Sequence, residues 1–184
     1  MPESRSPIDV PGLSLAEIAA AIEQRRLPPV ENWNPTHCGH SGMRIARDGS
    51  WYHEGRPIAR PAMVRLFSTV LRREPDGSHV LVTPAEKLTI DVEFAAFVAT
   101  AMTVEGEGKF RSIAFQLNSG DAVILGPDHA LRFHDGVPLV AVRRGLEASL
   151  ARPVYYGLAE LALADGSDPP GVWSNGAFFP FEGG

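Results

Sequence analysis

The sequence predicts an α+β fold, rich in strands and built from two related halves. Three observations carry that reading. Short alternating apolar and polar runs are punctuated by turn residues, and the chain holds 18 Gly and 16 Pro among 184 residues. Two amphipathic segments begin at Pro61 and Pro153, each a favoured first residue of a helix. The stretches around them also match without a gap at an offset of 92, half the chain length. Ile58-Ala59-Arg60-Pro61 aligns with Leu150-Ala151-Arg152-Pro153, Leu71 with Leu163 and Val80 with Val172.

Each element follows in order. Pro2, Pro7, Pro11 and Gly12 make residues 1–12 an irregular lead-in. Ser14 opens a helix, and Glu17 three residues on completes a capping box. Ile18 and Ile22 form its apolar stripe, and Leu27-Pro28-Pro29-Val30 ends it. Met43–Ala46 and Trp51–His53 flank an Asp48-Gly49 turn, a hairpin pattern. Met63, Val64, Phe67, Val70 and Leu71 give the first Pro-led helix its buried stripe, up to the Pro75-Asp76-Gly77 break. Strands are expected over 79–83, 88–92, 97–104, 112–117, 122–125, 131–133 and 139–142. Arg144-Gly145-Leu146 reads as a short insertion before the helix that starts at Pro153. Residues 172–181 form an aromatic-rich terminal hairpin or strand. The expected organisation is a lead-in and helix over 1–35, a first half over 36–92 and a second over 93–184.

Composition excludes several function classes. Lys and Arg number 17 against 22 Asp and Glu, a formal charge of -5, which is the wrong balance for a nucleic-acid binder. One Cys excludes an internal disulfide framework and a multi-cysteine zinc site. Residues 1–26 lack a basic segment followed by an apolar one, and no window could span a bilayer. A cytoplasmic protein without a membrane span is expected.

Few motifs carry chemistry. His37-Cys38-Gly39-His40 places three metal-capable side chains too close together to serve one ion, and no metal is expected. Cys38 is read as a buried small residue, with a reactive thiol activated by His37 or His40 as the alternative. Gly106-Glu107-Gly108-Lys109 lacks the spacing of a phosphate loop and no G-x-S-x-G elbow occurs, so neither a cofactor nor a catalytic residue is assigned. Arg60 and Arg152 precede the two helix starts, where free N–H groups and the helix dipole favour anions. Thr83-Pro84-Ala85-Glu86-Lys87 is a polar knot between strands, and Asn118, Asp121, His129, Arg132 and Arg143 add polar groups to the second half.

Several stretches together resemble a known bacterial family. They are Pro28-Pro29-Val30-Glu31-Asn32-Trp33-Asn34-Pro35, Cys38-Gly39, Asp48-Gly49-Ser50-Trp51, Leu81-Val82-Thr83-Pro84-Ala85-Glu86-Lys87, Leu131-Arg132, Val142-Arg143-Arg144-Gly145-Leu146-Glu147-Ala148 and Gly171-Val172-Trp173-Ser174. The family is catalogued as domain of unknown function 1285, and the resemblance covers nearly all of residues 13–182. It implies an internally duplicated α+β fold whose C-terminal half is superficially like a pleckstrin-homology domain. It also implies a nucleotide-like ligand between the halves, a part in signal transduction and no established activity. One departure is Val92-Glu93-Phe94-Ala95-Ala96-Phe97, where the resemblance would place a more acidic, proline-containing stretch.

The expectation is therefore a ligand-binding module, not an enzyme, that takes a small anionic or nucleotide-like molecule between its halves. Thr83, Glu86, Lys87, Arg132, Arg143, Arg60 and Arg152 are the candidate ligand contacts. The alternatives are an enzyme or redox sensor using Cys38, or a protein–protein adaptor. No protein partner is named by the sequence.

Overall fold

The computed structural model describes residues 6–181; residues 1–5 and 182–184, the outer ends of the expected lead-in and second half, lie outside the described residues. Helix α1 spans Leu15–Gln24. The Ser14 hydroxyl accepts a hydrogen bond from the Glu17 amide at 3.2 Å, satisfying one of the free donors of the first turn. Its buried face, Leu15 and Ile18, packs with Ile8 and Val10 onto Ala114 and Ala122 of the second half.

The first sheet contains β1 (His37–Ile45), β2 (Trp51–His53), β3 (Arg56–Pro57), β4 (Leu71–Arg73), β5 (His79–Val82) and β6 (Glu86–Val92), in the order β3-β2-β1-β6-β5-β4. Helix α2 (Pro61–Thr69) joins β3 to β4. The second sheet contains β7 (Phe97–Glu105), β8 (Ser112–Leu117), β9 (Ala122–Ile124), β10 (Leu131–His134), β11 (Val137–Arg143) and β12 (Leu146–Leu150), in the order β10-β11-β12-β7-β8-β9. In each sheet the first and last strands lie parallel at the centre, β1 with β6 and β7 with β12, and every other pairing is antiparallel. Each sheet is thus two three-stranded meanders joined by one parallel pair. Helix α3 (Arg152–Asp165) and the hairpin β13 (Gly171–Ser174) and β14 (Ala177–Pro180) follow.

This topology corrects the offset of 92. Equivalent strands begin at His37 and Phe97, and at Glu86 and Leu146, an offset of 60 in both cases. The longer offset superposes α2 on α3, whose stripes look alike because any core-facing helix repeats its apolar residues every three or four positions. It sets Leu71, which opens β4, against Leu163 in the last turn of α3. The chain passes from β9 to β10 without a helix, so the halves share the six-stranded sheet and not a hairpin–helix–strand unit.

Two local expectations also change. Helix α2 stops at Thr69, because Val70 leaves the helical region (φ -105°, ψ 8°) and Leu71–Arg73 pair with β5. The segment 146–150 is a strand, since its residues close the parallel contact with β7.

The two sheets share one core. Ile45, Trp51, Leu71 and Ile90 of the first meet Phe97, Phe115, Val140 and Ala148 of the second, with Val154, Leu158 and Ala162 of α3. A single amide also stitches the halves together. Asn118 Nδ2 donates to the Gly49 carbonyl at 3.0 Å, and its Oδ1 accepts from the Val98 amide at 3.0 Å. Gly49 sits at φ +90°, and a Cβ there would lie 2.8 Å from both the Asn118 and Val98 side chains. Only glycine suits that turn.

Candidate functional site

A groove of about 300 Å³ opens between the halves. One wall is Leu27-Pro28-Pro29-Val30-Glu31, continued by Thr69 and Leu71-Arg72-Arg73; the other is Arg143, Arg144 and Leu146 at the β11–β12 turn. Arginines from both halves therefore meet in one place. In a chain of net charge -5 that is a local reversal of sign.

The four guanidinium groups are held differently. Arg72 is a clamp: its Nη1 donates to the carbonyls of Val30 and Trp33 at 2.7 and 2.8 Å, and its Nη2 to Glu74 at 2.7 Å. Burial pushes the Glu74 carboxyl up, but the hydrogen bond and charge of Arg72 and the charge of Lys87 outweigh it and hold the group below its usual range. Arg73 spends Nη1 on the Gly145 carbonyl at 3.0 Å and lies 3.7 Å from Glu147. Arg143 donates Nη2 to the Ser68 carbonyl at 2.6 Å and stacks over the Phe97 ring at 5.1 Å. Its burial lowers its proton affinity, with Asp121 partly offsetting this; Asp121 itself pairs with Arg25 at 3.6 Å. Arg144, at φ 44° in the turn, reaches across the groove to Glu31 at 3.2 Å.

The expected contacts fall into three groups. Arg143 lines the groove. Arg132 and Lys87 join it at one remove: Arg132 grips Glu147 with two bonds of 2.6 and 2.7 Å, and Lys87 lies 3.5 Å from Glu74. Thr83 and Glu86 instead close the β5–β6 turn, where the Thr83 hydroxyl accepts from the Ala85 and Glu86 amides at 3.2 Å each. Arg60 and Arg152 are exposed at the starts of α2 and α3 and do not line the groove.

The sequence reading missed Arg72, Arg73, Arg144 and Glu31. A signal was present: each arginine belongs to an Arg-Arg pair at a strand end, 72–73 and 143–144. Together, five cations (Arg72, Arg73, Lys87, Arg132, Arg144) share three carboxylates (Glu31, Glu74, Glu147) around the groove, and Arg143 bonds the Ser68 carbonyl instead.

Cys38 corrects another expectation, for it is exposed rather than buried. It lies on β1 beside Lys87 of β6, at the sheet surface rather than in the core. Strand alternation turns His37 to the opposite face. His40 shares the face of Cys38, but its Nδ1 accepts from the Gly42 amide at 2.8 Å and its Nε2 faces Asp91 at 3.6 Å. Both ring nitrogens are thus engaged away from the thiol. Among the described residues no group of three or more His, Cys, Asp or Glu side chains is arranged to hold a metal ion.

Two family models match the chain: the N-terminal domain of the domain of unknown function DUF1285 over residues 28–95, and the C-terminal domain of the DUF1285 protein of unknown function over 96–181. The chain belongs to the DUF1285 family. The junction between the two matches falls between β6 and β7, where one sheet ends and the other begins. A DUF1285 protein from Silicibacter pomeroyi DSS-3, solved as a crystal structure, is 41% identical with a TM-score of 0.78, over 91% of this chain and 94% of that one. One from Shewanella baltica OS155 is 21% identical with a TM-score of 0.53, over 65% of this chain and 91% of that one, and shares the fold. Comparison with curated proteins gives no match. Among the described residues no helix is long and apolar enough to cross a membrane.

Proposed function

We propose that this DUF1285 chain is a ligand-binding module that takes a small anionic, nucleotide-like molecule in the groove between its halves. The observation that carries the reading is the meeting of Arg72 and Arg73 from one half with Arg143 and Arg144 from the other. A planar guanidinium fork suits phosphate and carboxylate, and about 300 Å³ is the lower end of the range for small-molecule sites. Leu27, Pro28, Pro29 and Leu146 supply an apolar wall for the rest of the ligand.

Recognition suits the groove better than catalysis. Its lining holds one hydroxyl, Thr69, whose proton goes to the Leu66 carbonyl at 2.6 Å. Nothing there is activated as a nucleophile. A ligand touching both halves would change how they hold together, which fits a signalling role in the cytoplasm.

Calorimetric titration of nucleoside monophosphates and inorganic pyrophosphate tests this. Saturable binding by the native chain, weakened at least several-fold in Arg73→Ala and in Arg144→Ala, is expected. No heat with any of these anions, or native-strength binding by both variants, would overturn it.

A further inference from the structure

Of the four groove arginines, Arg72 is the one that an anion cannot grip. Its side chain is 11% exposed. Nη1 spends its N–H groups on the Val30 and Trp33 carbonyls, and Nη2 bonds Glu74. Nε is sealed from solvent and has no hydrogen-bond partner among the described residues. A guanidinium holds an oxyanion along an edge of two adjacent N–H groups. Every such edge of Arg72 includes Nη1 or Nε.

The strand register explains where its bonds go. Arg72 stands opposite Val80 in the β4–β5 ladder, and Val80 and Val82 bury Val30, with Trp33 packed against them. The Pro-rich segment therefore lies over this face of the first sheet. Arg72 ties its backbone down at the start of the short turn Val30–Asn32 and just past its end.

We infer that Arg72 is a positioning residue: it sets the wall Leu27-Pro28-Pro29 against the charged β11–β12 turn and leaves the anion to Arg73, Arg143 and Arg144. This rests on the reading of the groove as an anion site. The two ends of a ligand are then read separately. Among the described residues Arg73 bonds only through Nη1 and Arg143 only through Nη2, so N–H groups remain for the charged end. The other end lies on a wall whose place depends on Arg72. The ligand class is an anion with an apolar ring beside its charge.

The test is calorimetry of inorganic phosphate and phenyl phosphate, whose affinity ratio reports the wall alone. The native chain is expected to favour phenyl phosphate about tenfold, the worth of roughly 55 Å² of apolar surface withdrawn from water. Arg72→Lys keeps the charge but lacks the planar fork that spans both carbonyls and Glu74. It should bind inorganic phosphate within about twofold of native and lose most of the ring preference. Val30→Ala, which loosens the same wall without touching a charge, should do likewise. Arg73→Ala should weaken both ligands alike and keep the ratio. If Arg72→Lys and Val30→Ala keep the native ratio, or Arg72→Lys weakens inorganic phosphate as much as Arg73→Ala does, the positioning role is refuted and the anion groove stands. If neither ligand binds the native chain, the groove reading falls and the positioning role with it.

Discussion

Replacing Arg143 by Met and by Ala separates recognition from folding. Arg143 docks α2 on the second sheet through the Ser68 carbonyl and lies against Phe97. Losing a hydrogen bond from a charged donor costs about 1.5–3 kcal/mol. Against this, the guanidinium is held where burial disfavours its charge, and methionine fills similar space without that penalty. The two effects largely cancel, so Arg143→Met should lower stability by only about 1 kcal/mol. Arg143→Ala loses the same bond and also leaves a void beside Phe97, raising the cost to about 2–4 kcal/mol. Urea unfolding midpoints measure both, and pyrophosphate calorimetry measures recognition. The expected pattern is near-native stability with weakened anion binding for Arg143→Met. Equal destabilisation by the two substitutions would show that the fold itself needs the charge. Native binding by Arg143→Met would remove this residue from the ligand contacts.

Other outcomes follow from the same structure. Arg111, 6% exposed, grips Asp165 at 2.6 and 2.9 Å, so Asp165→Asn should cost about 2–3 kcal/mol in urea unfolding. The Arg111 hydrogen bond holds the Asp165 carboxyl below its ordinary range. That stabilisation is complete above the unfolded value near about 3.9 and lost as pH falls through the lower folded value, so the native chain but not Asp165→Asn should show it in acid titrations. Burial, with the Arg73 charge, pushes His79 below its ordinary value. The unfolded chain then binds more protons near about pH 6.5, and stability should fall as pH drops from 7 to 5; His79→Gln should flatten that slope. Cys38, being exposed, should react with Ellman's reagent in the native protein without denaturant.

The local elements were largely legible in the sequence, because alternation and turn chemistry act over a few residues. Ser14, Pro61, Pro153 and the Asp48-Gly49 turn mark true boundaries. The repeat was harder, because it resides in strand pairing between distant segments. Its traces are Leu71-Arg72 and Leu131-Arg132 opening equivalent strands, and Asp76-Gly77 and Asp135-Gly136 turning them. They are shorter than the helix stripes that suggested 92, and a stripe shared by two helices reports only that both face a core. The site was half legible. Arg132, Arg143 and Lys87 stood out as charges within strands, whereas Glu31 and Arg144 become partners only when the Pro-rich segment folds against the β11–β12 turn.

The likeness of the two sheets explains why the groove lies where it does. The turns β5–β6 and β11–β12 occupy equivalent places in the two sheets, yet their residues differ: Thr83-Pro84-Ala85 in one, Arg143-Arg144-Gly145 in the other. In the first copy the Thr83 hydroxyl satisfies the turn's own amides, and the loop is self-contained. In the second, Arg144 and Gly145 adopt φ of 44° and 80°, and the turn's side chains reach outward to Ser68 in the first half and to Glu31 in the segment that precedes it. Such a left-handed turn is strained for arginine and is sustained by contacts made elsewhere. Two copies with identical turns would have left either a neutral seam or a repulsive one. Divergence at this one turn instead lets a charged loop from one half meet Arg72 and Arg73 at the edge of the other, and that asymmetry gathers four arginines along one groove between similar sheets.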